Sequence, residues 1–129
     1  MDANRLKQIA VFSELSDDEL ASVVPFANEA SVSEGNTLVK EGDYSYEFIG
    51  IEEGAAEVTR GGEHIADLGP GDFFGEVGVL EKALRNSTVT AKTPMRIVTL
   101  TGWDLKRLER QAPAAMEHIR STLEARRAG

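Results

Sequence analysis

In the run Phe74-Gly75-Glu76-Val77-Gly78-Val79-Leu80-Glu81-Lys82-Ala83-Leu84-Arg85, a carboxylate, Glu76, follows a glycine in an apolar stretch. An arginine stands nine residues further on. The arginine guanidinium is a planar fork that can grip two phosphate oxygens at once. Gly75 has no Cβ, so a ligand can approach its backbone closely. It is placed to open a short helix whose first N–H groups would face an anion. A carboxylate beside a phosphate is repulsive unless it accepts a hydrogen bond from another group, and a sugar hydroxyl is the natural donor. Phosphate and hydroxyl side by side describe a ribose phosphate. The plainer alternative pairs Arg85 with Glu81 on a solvated helix, worth about 0.3–0.5 kcal/mol. That alternative leaves Glu76 without a partner in an apolar run, which is costly.

The flanking elements must hold these groups together. Phe73-Phe74 ends a strand that follows Gly69-Pro70-Gly71-Asp72, where Pro70 and Gly71 fit the central positions of a type II turn. From about residue 28 to residue 101, short segments separated by recurrent turn residues read as strands: 37–40, 47–51, 55–60, 63–68, 87–93 and 95–101. Gly61-Gly62 is a two-residue hairpin signal. In the N-terminal part, 1–27, Ile9, Phe12 and Leu15 share a helical face. Ser16 and Glu19 form a capping box, and Leu15 and Leu20 are spaced as a hydrophobic staple. The helix they open should run over 17–25 and stop near Pro25. Helical periodicity returns over 102–127, with Leu105 and Leu108 in one short helix and Pro113 in the first turn of another. Met116, Ile119 and Leu123 lie on one stripe of that last helix. The expected fold is mainly β: a jelly-roll-like β-roll with short N-terminal helices and C-terminal helices, in one domain over 1–129.

Composition narrows the function classes. The chain has 129 residues with 41% hydrophobic and 28% charged side chains, an ordinary globular balance. It has no cysteine, which removes disulfides, thiolate metal sites and a cysteine nucleophile. Residues 1–101 carry a net charge of −10 and residues 102–129 a net +2. So acidic a body argues against nucleic acid as a partner. No apolar run approaches the length of a membrane span and nothing reads as a signal peptide, so the expected location is cytoplasmic and no membrane partner is expected. A cupin-type metal enzyme needs clustered histidines. His64 and His118 stand far apart without a His-x-His pair, so no metal site and no catalytic residues are expected. No nucleophile–base pairing is visible either.

Gly71-Asp72-Phe73-Phe74-Gly75-Glu76-Val77-Gly78-Val79-Leu80, followed by Arg85-Asn86-Ser87-Thr88-Val89, resembles the phosphate-binding cassette of cyclic nucleotide-binding domains. These occur in protein kinase regulatory subunits, cyclic-nucleotide-gated channels and catabolite activator-type regulators. The spacing from Glu76 to Arg85 is that of the kinase and channel branch. Phe12-Ser13-Glu14-Leu15-Ser16 resembles the family's entry helix, and Glu41-Gly42-Asp43 and Ile51-Glu52-Glu53-Gly54 resemble early β-roll signatures. The resemblance implies a cassette over 74–88 that binds cAMP or cGMP, cAMP favoured, with no further cofactor. Glu76 would accept from the ribose 2′-OH and Arg85 would pair with the cyclic phosphate. The backbone N–H groups of Gly75 and Val77 would hold ligand oxygens, and Ser87 would add a polar contact. Asn86 would either touch a syn guanine edge or cap the strand. Leu84 stands where many members have proline. The acidic residue that often steadies the arginine falls near Tyr46, with Asp43 and Glu47 offset from it. Family analogy also implies a lid on the base from the last helix, built from Ile119, Arg120 or Leu123. The same helix is the expected route to an effector protein or a homodimer partner. The alternative is a degenerate member that serves as an interaction module without binding nucleotide.

Overall fold

A computed structural model describes residues 1–44, 47–74 and 85–128, with the side chains of Leu123 and of 126–128 outside that description. Helix α1 spans Ala3–Lys7, and α2 spans Asp17–Val23. A two-sheet β structure follows, and helices α3 (Gly102–Gln111) and α4 (Pro113–Ala128) close the chain. The strands are β1 (Asn28–Val32), β2 (Thr37–Val39), β3 (Glu47–Glu53), β4 (Ala56–Arg60), β5 (Glu63–Leu68), β6 (Phe73–Phe74), β7 (Thr88–Ala91) and β8 (Met95–Thr101). One sheet runs β1-β8-β3-β6 and the other β2-β7-β4-β5, all pairs antiparallel. No helix among the described residues is long and apolar enough to cross a membrane.

Several local expectations hold for local reasons. Ser16 Oγ accepts from the Glu19 N–H while Glu19 accepts from the Ser16 N–H, so the capping box starts α2. The helix gives way at Val24–Phe26 to a 3₁₀ turn that contains Pro25. Gly61 and Gly62 have φ of 60° and 82°, as a tight hairpin turn requires. The Asp72 N–H donates to the Gly69 carbonyl across the Pro70-Gly71 turn. One expectation is corrected. Ile9, Phe12 and Leu15 do not lie on a continuous α-helix, because Ile9 is extended and the Ala10 N–H donates to the Gly71 carbonyl, leaving only a 3₁₀ turn over Ala10–Phe12. All three side chains are nevertheless buried.

Burial follows strand alternation. On β3 and β8, side chains of one parity face the second sheet, and those of the other face the helices. Ile49, Ile51, Met95 and Ile97 therefore join Ala56, Phe74, Val89 and Ala91 between the sheets. Phe48, Val98 and Leu100 join Phe73 and the helical residues Leu6, Phe12, Leu20, Leu108, Met116 and Ile119 in a second core. β3 and β8 are thus covered on both faces. The N-terminal end is also tied by charge. Arg5 of α1 and Arg96 of β8 converge on Glu29 of β1 and on Glu52. Glu52 lies where the β3–β8 register shifts between Ile51 and Glu53, a bulge that re-aims its side chain. That side chain is only 4% exposed. Burial and the neighbouring Glu29 raise its carboxyl above the ordinary range, while a hydrogen bond from Arg96 lowers that of Glu29.

Candidate functional site

Three pieces of chain meet beside Arg85. They are the loop between β2 and β3, the tip of the β4–β5 hairpin, and residues 85–88 leading into β7. Backbone pairing joins the first and third. The Arg85 N–H donates to the Asp43 carbonyl at 2.8 Å, and the Gly42 N–H donates to the Arg85 carbonyl at 2.9 Å. The Arg85 guanidinium donates through Nη2 to the Glu47 carbonyl at 2.7 Å, which aims the side chain along the start of β3. Arg85 is half-buried. It lines a cavity of about 690 Å³ together with Thr37, Leu38, Val39, Lys40, Gly42, Asp43, Tyr44, Glu47 and Ile49. The lining combines apolar Leu38, Val39 and Ile49 with the cations Arg85 and Lys40 and the carboxylates Asp43 and Glu47. The volume falls in the usual range for small-molecule sites. A guanidinium at such a cavity can hold an anionic group, and apolar lining residues can cover a ring or a sugar face.

The third piece is fastened from the other side by the hairpin. Arg60, the last residue of β4, donates through Nε to the Asn86 carbonyl at 3.1 Å and through Nη2 to Ser87 Oγ at 3.2 Å. Ser87 Oγ also contacts Asn86 Oδ1 at 3.2 Å. The Glu41 carboxylate accepts from the Gly61 N–H at 3.0 Å and from Thr88 Oγ1 at 3.4 Å, while the Glu41 N–H donates back to Thr88 Oγ1 at 3.1 Å.

These contacts place the sequence-derived residues in different settings. Arg85 stands in the cavity. Asn86 and Ser87 adjoin it in sequence but do not line it, and both are engaged by Arg60. Gly75, Glu76 and Val77 lie outside the described residues, as do Glu81, Leu84 and Tyr46. Ile119 is 2% exposed within the helical core, and Arg120 donates to Glu109 of α3 at 2.9 Å. Neither lines the cavity in this structure, so a lid made from them requires α4 to leave its seat on the N-terminal helices. The Leu123 side chain is outside the description. Met116 is buried beside Ile119, as the apolar stripe implied. Sequence reasoning missed Arg60 and the bracing role of Glu41. Glu41 carried a signal, since Glu41-Gly42-Asp43 stood out as a turn. Arg60 carried none, because its partners lie twenty-six and twenty-seven residues away. No cluster of three or more metal-ligating side chains exists among the described residues.

Comparison with known proteins agrees with the fold. Residues 29–111 match the family model described as the cyclic nucleotide-binding domain. The cAMP-dependent protein kinase regulatory subunit of Yarrowia lipolytica is 37% identical over 97 residues, which is 74% of this chain and 26% of that protein. The chain thus spans about a quarter of the length of the curated relatives it matches first. Among solved structures, the catabolite activator protein of Thermus thermophilus superposes with a TM-score of 0.81 at 25% identity, covering 92% of this chain and 58% of that one. The regulatory domain of the Toxoplasma gondii kinase, crystallised with cAMP, superposes with a TM-score of 0.72 at 25% identity, covering 82% and 42%. The β-roll, its flanking helices and the match over most of the roll together make this chain a member of the cyclic nucleotide-binding domain family.

Proposed function

We propose that the chain binds a 3′,5′-cyclic purine nucleotide, cAMP in preference to cGMP, as a non-catalytic sensor. Arg85 takes the cyclic phosphate, Glu76 accepts from the ribose 2′-OH, and the N–H groups of Gly75 and Val77 complete the cradle. The observation that carries this reading is the guanidinium of Arg85, oriented by the Glu47 carbonyl at the edge of a cavity of about 690 Å³. The kinase regulatory subunits among its relatives support cAMP as the ligand. Signalling runs through the C-terminal helix to an effector protein or a second copy. Ile119 now sits in the helical core, and binding favours a state in which α4 is repositioned toward the nucleotide. Ligand shifts that balance only by its tighter binding to the second state.

Calorimetric titration with cAMP, cGMP and 2′-deoxy-cAMP tests the reading. Arg85→Ala should lose about 2–3 kcal/mol, roughly 30- to 150-fold in affinity, because a charge-assisted bond to phosphate disappears. The 2′-deoxy ligand should bind the unaltered protein more weakly than cAMP. A folded protein that gives no heat with any of the three ligands refutes nucleotide binding and leaves an interaction module.

A further inference from the structure

We infer that Arg60, which lies outside the cavity, is a positioning residue that sets the affinity of the nucleotide site by fixing the backbone from which Arg85 projects. The inference rests on the proposed nucleotide site and adds to it a residue that touches no ligand.

A closed ring of hydrogen bonds surrounds Arg85. Its own N–H and carbonyl are held by Asp43 and Gly42. The next carbonyl, that of Asn86, is held by Arg60 Nε, and the next side chain, Ser87, by Arg60 Nη2. The residue after Arg60, Gly61, donates to Glu41, which adjoins Gly42. The chain therefore runs from the β2–β3 loop through the hairpin tip to residues 85–88 and back, and Arg60 forms the only two side-chain bonds by which the hairpin holds Asn86 and Ser87 among the described residues. A long arginine side chain must lose rotamer freedom to clamp a phosphate, and a site whose backbone is already fixed loses less on binding. The fork geometry matters here, because Nε and Nη2 address two acceptors on successive residues, which a lysine ammonium cannot reproduce. Arg60 thus engages the Asn86 carbonyl and the Ser87 hydroxyl together.

Arg60 carries a positive charge near an anion site, so a long-range electrostatic role has to be separated from positioning. Arg60→Lys keeps the charge and loses the fork, whereas Arg60→Gln loses both. Both variants, the unaltered protein, and the same pair in an Arg85→Lys background are titrated with cAMP, with urea midpoints measured alongside. Positioning predicts that Arg60→Lys and Arg60→Gln each weaken binding by about 5- to 10-fold, the effect of one to two modest hydrogen bonds. It also predicts no more than a modest drop in the urea midpoints, with the proteins still folded, and a smaller loss of affinity when Arg85 is already altered. If Arg60→Lys binds like the unaltered protein, Arg60 acts by charge and the inference is overturned. It is overturned equally if both variants bind normally, or if their losses persist in full beside Arg85→Lys. Failure of the unaltered protein itself to bind cAMP removes the proposed function, and this inference with it.

Discussion

Gly54→Ala should be among the most damaging single-methyl additions available to this protein. Gly54 joins β3 to β4 with φ of +94°, a left-handed conformation that costs an L-residue about 1–2 kcal/mol. Space is the second difficulty. A Cβ at this position would lie 2.5 Å from the Pro94 carbonyl oxygen, 2.9 Å from Met95 Cα and 2.8 Å from Met95 Cγ. Two of those three atoms are backbone, so no rotamer change relieves the overlap. The Thr93–Pro94 turn is itself tied to the Gly54-Ala55 corner, because the Ala55 N–H donates to Thr93 Oγ1 and the Lys92 N–H to the Ala55 carbonyl. Overpacking of this kind adds about 1–3 kcal/mol, for a total of about 2–5 kcal/mol. Gly35→Ala supplies the control, since Gly35 has φ of +88° but nothing within 4 Å of its would-be Cβ. It should cost only the conformational part. With slopes of about 1–3 kcal/mol per molar urea, the steric part of about 1–3 kcal/mol should separate the two midpoints by about 0.3–3 M at equal slope. Equal midpoint shifts for the two variants would refute the steric argument and leave only backbone conformation.

Acid should weaken the fold as pH falls below the ordinary carboxylate value of 4.5, because three carboxyls are held below it: Glu19 chiefly by the Ser16 N–H, Glu29 by Arg96 and Glu57 by His64. Their contributions are complete above the unfolded value and disappear as pH drops through the folded ones, which urea midpoints between about pH 3 and pH 7 would register. Glu52 carries the opposite sign, since its folded value is raised and its contribution is lost as pH rises through that value. Glu52→Gln should therefore gain stability relative to the unaltered protein toward about pH 8 and match it near about pH 4; a loss at both pH values would contradict this. Met116→Ala should cost about 2–5 kcal/mol in chemical denaturation, as its side chain is 2% exposed in the helical core. Ser16→Ala should cost about 1 kcal/mol by opening the capping box on α2, seen as a modest shift of the urea midpoint.

What could be read in the sequence was what neighbouring residues decide among themselves. The capping box, the Gly61-Gly62 hairpin, the Pro70-Gly71 turn and the helix that begins at Pro113 each depend on a few adjacent positions. Strands β3 and β8 were visible as short segments set off by recurrent turn residues. By contrast, β1 gave no sign, since Asn28–Val32 is mostly exposed and shows no apolar alternation. The break in the first helical stretch depends on the Ala10–Gly71 hydrogen bond, and no window of local sequence contains both partners. At the site, Arg85 was legible through its spacing and its family cassette. Its support from the Glu47 carbonyl was not, because a backbone acceptor leaves no trace in residue type. The bulge that turns Glu52 inward is equally silent, since a carboxylate at the end of a strand reads as solvated.

Phe73 and Phe74 point to opposite sides of a two-residue strand. Phe73 packs its ring 5.6 Å from that of Phe48 in the helical core, and Phe74 lies between the sheets. One dipeptide is thus rooted in both apolar interiors. Neither interior can open without withdrawing one phenylalanine, and the peptide between the two rings is too short to yield while the other stays in place. Helices and roll should therefore exchange their most protected amide protons through one shared opening event, at a single free energy, rather than as two foldons.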